Sequence, residues 1–274
     1  MNPTSRIYQL VKEWSQKPKR VIKEGLQSTH DLQQVAQTEQ LKVWQRSQQA
    51  FFQAVIDTKT HSIHYIIHQA SGIASDDQIR KITYEAILAC EYWHASAKPY
   101  HLILPIKTGQ ILQKDFQEFL QDKLLHCHLP LGYLGIGLTQ VSSDEQEGLL
   151  QQAIIQLRRL GILVYLFEFE GLPIQLKLLE TGCISAIQMT ATRWREATKN
   201  PKLLVQINEL VRIANDYELP ILCGEIDLIK DRDLAEQIKC HHLYGKMIKP
   251  AMTASQITRI FTISSPHSTI VHKP

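Results

Sequence analysis

Beyond about residue 50 the chain alternates between two hydrophobic rhythms. Short apolar runs, of the length strands adopt, are separated by longer stretches whose apolar positions recur at three- and four-residue spacing. The runs are Phe51–Ile56, Ile63–His68, His101–Ile106, Leu131–Leu138, Leu163–Phe169, Ile184–Met189, Pro220–Gly224 and His242–Met247. The stretches between them predict helices over Asp76–Ala95, Ile111–His126, Asp144–Leu160, Pro173–Glu180, Pro201–Tyr217 and Leu228–Lys239. Asp76, Asp144 and Asp231 stand where helix N-caps would be useful. Eight strands, alternating with helices after the first two, predict an α/β fold of the (β/α)8 barrel type. A doubly wound open sheet gives the same alternation, so the pattern alone leaves both architectures standing.

The first 45 residues follow another rule. They are rich in Gln and Lys, and the first thirty carry six basic residues against two acidic ones. Ile7, Leu10, Val11 and Trp14 fall on one face of a short helix that Pro18 should end. A weaker stripe, Leu32, Val35, Leu41 and Trp44, suggests a second helix. The expected organisation is an N-terminal helical extension (1–47), a barrel (48–262) and a short tail (263–274). The extension could pack on the barrel, or offer a basic, Trp-bearing docking helix to a partner.

Composition narrows the class. Apolar residues make up 44% of the 274-residue chain and charged residues 21%, enough to build one large core. A net charge of +3 is too small to argue for a nucleic-acid binder. Five scattered cysteines (Cys90, Cys127, Cys183, Cys223, Cys240) show no CxxC spacing and read as reduced thiols of a cytoplasmic protein. No apolar run approaches the roughly 18 residues that a membrane span needs, and the N-terminus lacks the order of a signal peptide.

In a (β/α)8 barrel the chemistry gathers at the C-terminal ends of the strands. A hydrolase using divalent cations would need several carboxylates converging there. Here those ends carry mostly Ile, Pro, Gly, Phe and Cys.

Three segments give this pattern a family likeness. The stretch FFQAVIDTKTHSI (51–63) is similar to the first hairpin of the EAL family of cyclic-di-GMP phosphodiesterases. LRRLGILVYLFEFEGLPIQLKLLETGCISAIQM (157–189) resembles its central stretch, and YGKMIKPAMTASQI (244–257) its closing Gln-Gly-Tyr…Lys-Pro segment, one residue short. The resemblance implies an EAL-type barrel over about residues 48–262.

It also implies that the catalytic set is lost. Ile67 stands at the metal-binding Glu and Ser71 at the phosphate-contacting Arg. Pro105 replaces the metal-ligand Asn, and Gly137 and Gln140 replace two carboxylates. The paired aspartates fall on Phe167 and Glu168. Gln188 and Thr190 replace the Lys-x-Asp pair, Cys223 the Glu of the seventh strand, and Tyr244 the final Gln. One carboxylate, Glu168, remains, and one carboxylate cannot hold the two cations that generate the nucleophile. Likeness to degenerate members therefore implies a pseudoenzyme with no cofactor, no metal site and no catalytic residue. It would act on another protein in cyclic-di-GMP-related motility, pilus or biofilm control.

The contact surface would be the apolar barrel mouth (Ile67, Pro105, Phe167) or the N-terminal helix, and a homodimer is left open. The alternative is a cyclic-di-GMP receptor without hydrolysis. Gln53, Glu168 and Arg193 are its residual contacts, but they rebuild no phosphate clamp, so nucleotide binding is not expected. A third reading is an unrelated enzyme using Cys223 or the Glu168/Glu170 pair, which would share one strand face. The twelve histidines show no paired ligand spacing and are expected to be surface or locally satisfied residues.

Overall fold

The computed structural model describes residues 50–69, 75–95, 100–141, 147–197 and 199–263. The N-terminal extension with Ile7, Leu10, Val11 and Trp14, together with Ser71, Asp144 and the tail after 263, lies outside them.

The apolar runs close into one barrel. Its strands are β1 (Phe51–Asp57), β2 (Ile63–Gln69), β3 (His101–Lys107), β4 (Leu134–Thr139), β5 (Leu163–Leu166), β6 (Ile184–Thr190), β7 (Ile221–Gly224) and β8 (His242–Leu243). They follow one another in the sheet, and β1 shuts the barrel by pairing with both β8 and β2. Neighbours from β2 to β8 are parallel, while β1 runs antiparallel to both of its partners. The β1–β2 connection is thus a hairpin, which Asp57 closes. Its Oδ1 accepts from the Lys59 and Thr60 amides at 2.9 and 2.7 Å. A two-residue strand, β9 (Met252–Thr253), pairs with the start of β1.

Around the sheet lie α1 (Asp76–Ala95), α2 (Thr108–Ile111), α3 (Lys114–His126), α4 (Glu147–Arg159), α5 (Pro173–Glu180), α6 (Ala191–Ala197), α7 (Pro201–Asp216), α8 (Ile229–Gln237) and α9 (Ala254–Ile263). The predicted helix over Ile111–His126 starts three residues later, as α3, and α2, which shares only Ile111 with it, was not anticipated, nor were α6 and α9. Two caps also differ. Ser75, not Asp76, starts α1, exchanging hydrogen bonds with Gln78 in a capping box. Asp231 sits inside the first turn of α8, where its carboxylate accepts from the Leu228 and Asp227 amides. No helix among the described residues is long and apolar enough to cross a membrane.

Because side chains alternate along a strand, each strand feeds two cores. The outer one, between sheet and helices, takes Leu134, Ile136 and Leu138 of β4, Ile66 of β2 and Ile187 of β6. The inner one fills the barrel with Val55, Tyr65, Ile67, Ile103, Tyr165, Phe167, Ala186, Leu222 and Tyr244.

Strand β4 contributes no inward side chain at its centre, and the aromatics explain why. A Cβ on Gly135 would lie 2.5 Å from the Tyr165 ring, and one on Gly137 would lie 2.7 Å from the Phe167 ring. The two rings of β5 occupy the space that β4 vacates.

Candidate functional site

The mouth of the barrel, where the strands end, is closed by its own side chains. Phe167 covers Gly137, and Tyr244 reaches across from beyond β8 to sit against Gly224 and Gln188. Burial pushes the Tyr244 phenol up, and its hydroxyl shares a hydrogen bond with Gln188. Below them the hydroxyls of Tyr65 and Tyr165 pair with each other. Both phenols are also raised chiefly by burial. Ile67 is 2% exposed and Phe167 5%, so neither offers the apolar contact surface expected of the mouth.

Backbone geometry sets this arrangement. Three non-glycine residues at strand ends, Gln140, Glu168 and Glu225, hold φ of 60°, 55° and 60°. Such left-handed conformations are uncommon for side-chain-bearing residues and concentrate at specialised sites. At Glu168 the consequence is plain. A continuous strand would put Phe167 and Phe169 on one face, but the kink sends Phe167 into the barrel and Phe169 into the outer core. It also ends β5 at Leu166, so Glu168 and Glu170 are loop residues rather than strand neighbours.

Two buried glutamines hold that loop. The Gln188 side chain accepts from the Glu168 amide at 2.8 Å. Gln175 accepts from the amides of Glu170 and Leu172 at 2.8 and 3.2 Å and donates to the Glu168 carbonyl at 3.2 Å.

Beside the closed mouth, at the ends of β4, β5 and β6, lies a cavity of about 350 Å³. Gln140, Glu168, Glu170, Gln175, Thr190 and Arg193 supply its polar lining. Arg193 is already engaged with Glu170 at 2.8 Å. The cavity brings together four of the sequence-derived positions: Gln140, Glu168, Thr190 and Arg193. Gln53 stands apart from it, donating to the Lys249 carbonyl at 3.0 Å and accepting from Gln69 at 2.9 Å.

Cys223 needs a correction. It faces the outer core, because Leu222 takes the inward position on β7. A hydrogen bond with the Cys240 thiol and burial push the Cys223 thiol far above its ordinary range. A thiol so held is no nucleophile. The resemblance gave a Glu to Cys223, but the inward position at this strand end is Gly224, and the Glu225 carboxylate accepts from Thr192 at 3.1 Å.

The donor set does not suit a pair of divalent cations. Among the described residues no three His, Cys, Asp or Glu side chains converge for a metal ion. The inward strand-end positions carry Ile67, Pro105, Gly137, Phe167, Gln188, Gly224 and Tyr244, none of them carboxylates. Hard cations need several oxygen ligands, and these positions supply no carboxylate to hold them.

Histidines cluster at the opposite end, which spacing along the sequence did not reveal. His64, His101 and His242 start three different strands, and barrel closure stacks them. Only the closing order of the strands, β8–β1–β2–β3, could have shown it.

No family model matches the chain, and no curated protein matches it at a significant level. Solved structures do. The EAL domain of Mycobacterium smegmatis DcpA superposes with a TM-score of 0.67 at 16% identity, covering 78% of this chain and 95% of that one. The PaMucR phosphodiesterase in its c-di-GMP complex gives 0.66 at 14%, over 82% and 99%. The Xanthomonas citri FimX EAL domain in complex with c-diGMP gives 0.64 at 12%, over 82% and 97%. At these identities the likeness establishes the fold: the chain is an EAL-type barrel.

Proposed function

We propose that this chain is a non-catalytic EAL-type barrel that works by binding another protein, in a process related to cyclic-di-GMP signalling. The observation that carries this reading is the filled mouth, where Phe167 and Tyr244 lie over Gly137 and Gly224. Chemistry at a barrel mouth needs open space bounded by converging polar groups. Hydrolysis of a phosphodiester through two metals needs carboxylates to hold them. Neither requirement is met by these residues. A rate enhancement worth at least ~8 kcal/mol, the lower bound of ordinary enzymes, has no visible source.

The neighbouring cavity favours a second reading, a receptor that binds cyclic di-GMP without cleaving it, as the FimX EAL domain is seen in complex with c-diGMP. The cavity of about 350 Å³ lies at the small end of the range for ligand sites. Its charge argues against a dianion. Glu168 and Glu170 face it, and its one guanidinium, Arg193, is spent on Glu170. A phosphate would have to displace that carboxylate and sit beside another.

The proposed partner contact lies elsewhere, in the basic N-terminal segment whose Ile7, Leu10, Val11 and Trp14 have the spacing of a helix face. Incubating the full chain with cyclic di-GMP and Mg²⁺ or Mn²⁺, and following the linear dinucleotide by chromatography, tests the enzymatic half. No product is expected. Turnover that scales with protein concentration and is lost on adding chelator would overturn the proposal.

A further inference from the structure

At the base of the barrel, opposite the mouth, four rings from four segments stack in a row. Tyr133, just ahead of β4, lies 4.8 Å from His101 with the planes 15° apart. His101 lies 6.1 Å from His64 at 20°, and His64 lies 5.0 Å from His242 at 11°. Tyr65 stands edge-on to the three imidazoles, at 71° to 90°.

The row ends at a short joint of the sheet. Strand β8 is two residues long and pairs with β1 through Ile56↔Leu243 and Asp57↔His242, a seam that Thr58 extends by donating its amide and hydroxyl to the His241 carbonyl, whereas β1 pairs with β2 along its length from Phe51 to Ile56. His242 belongs to that joint and to the stack at once. Its Nδ1 is buried without a hydrogen-bond partner and lies 3.9 Å from the Asp57 carboxylate, beyond hydrogen-bonding reach.

We propose that this row of rings is a proton-operated latch: with the imidazoles neutral it clamps β8 and β3 against the β1–β2 hairpin, and with two of them protonated it lets the β1–β8 seam part. Neutral imidazoles stack through their faces and bury apolar ring surface. Two imidazolium rings with centres 5.0 Å apart repel, and a single carboxylate, Asp57, acts on both His64 and His242.

The surrounding charges act on both rings. Asp57 of the hairpin turn is held below the usual carboxylate range, chiefly by the Thr60 amide, so it stays anionic and favours a charge on His64 and His242 alike. Lys59 of the same turn acts against a charge on His241, whose ring centre is 6.5 Å from that of His242. The remaining neighbours are His94 on α1, which contacts Tyr133, and Tyr165 of β5 with Arg158 of α4 behind it. None of these supplies a second anion.

His242 is pushed down to about 4, by burial first and then by His64. His64 is lowered by burial and then by His101. The latch is therefore shut at neutral pH and releases on acidification.

Hydrogen exchange of the full chain, followed by mass spectrometry at pH 7.5 and pH 5.0 with intrinsic rates corrected, reads this directly. Peptides covering β1, β2 and β8 should lose protection by about tenfold more than those covering β4 to β6, because local opening precedes global unfolding. His64→Phe, at an exposed position, keeps a ring in the row and removes its proton site, and it should abolish most of that difference. Uniform loss across the barrel, or a His64→Phe protein with the full difference, would overturn the proposal.

Discussion

The two ends of this barrel are built from different materials. At the mouth the inward positions carry aromatic rings facing glycines, and among the described residues none of those positions is a carboxylate. At the base the inward positions carry imidazoles stacked against tyrosine, beside one aspartate. In barrel enzymes the mouth holds the reactive groups and the base serves stability. Here the mouth is packed like a core, and titratable groups crowd the base. The difference makes the base, where titratable groups meet, the place to look for pH-dependent behaviour.

The contrast can be broken most forcefully with acid. His242 at the base and His68, buried on the outer face of β2, are both pushed down to about 4 by desolvation. The unfolded chain takes up these protons near pH 6.5 and the folded chain does so only near 4. Stability is thus complete above pH 6.5 and falls as pH drops through that window. Each histidine contributes at most about 3 kcal/mol to the loss. Urea unfolding at pH 7.5 and pH 4.5 measures it, and a midpoint that does not fall would contradict the burial of both rings.

Removing the ring that fills the mouth should come next. Phe167→Ala deletes a buried side chain over a glycine that cannot fill the gap, at a cost of about 3–5 kcal/mol in denaturant melts. If Phe167 instead swung freely over an open site, the change would be near neutral. Crowding the same spot is milder. Gly137→Ala drives a Cβ to 2.7 Å from that ring, and overpacking of this kind costs about 1–3 kcal/mol. In the double variant Phe167→Ala with Gly137→Ala the clash should vanish, so the two effects should not add. The smallest effect belongs to the polar cavity. Glu170→Ala breaks an ion pair with Arg193 whose carboxylate partner is half-exposed, and the loss should stay below about 1 kcal/mol.

Much of the fold was legible from periodicity. The helices Asp76–Ala95 and Pro173–Glu180 were placed to the residue, and all eight barrel strands were found. The misses have physical causes. Strand β5 stops early because Glu168 turns left-handed, a conformation that a Glu does not advertise. The helix predicted from Ile111 starts only after Gln113, whose extended backbone opens α3 without a side-chain cap. Alternation alone would have moved Cys223 off the mouth, since Gly224 and Leu222 share the inward face and leave Cys223 outside.

Gly137 of β4 was read as standing in place of a carboxylate. That Gly137 and Gly135 also make room for Phe167 and Tyr165 needed the register Gly137↔Tyr165 that only the assembled sheet supplies. The histidine row was invisible for the same reason, because its members are far apart in sequence and meet only through barrel closure.

The central claim is the proposal that this barrel does not bind cyclic di-GMP. Isothermal titration of the full chain with cyclic di-GMP, with and without Mg²⁺, tests it most directly. The filled mouth predicts no saturable heat at ligand concentrations up to about 1 mM, equivalent to less than ~4 kcal/mol of binding free energy. Saturable binding at micromolar concentration, abolished by Arg193→Ala, would contradict it and make the cavity beside Glu168 a nucleotide site.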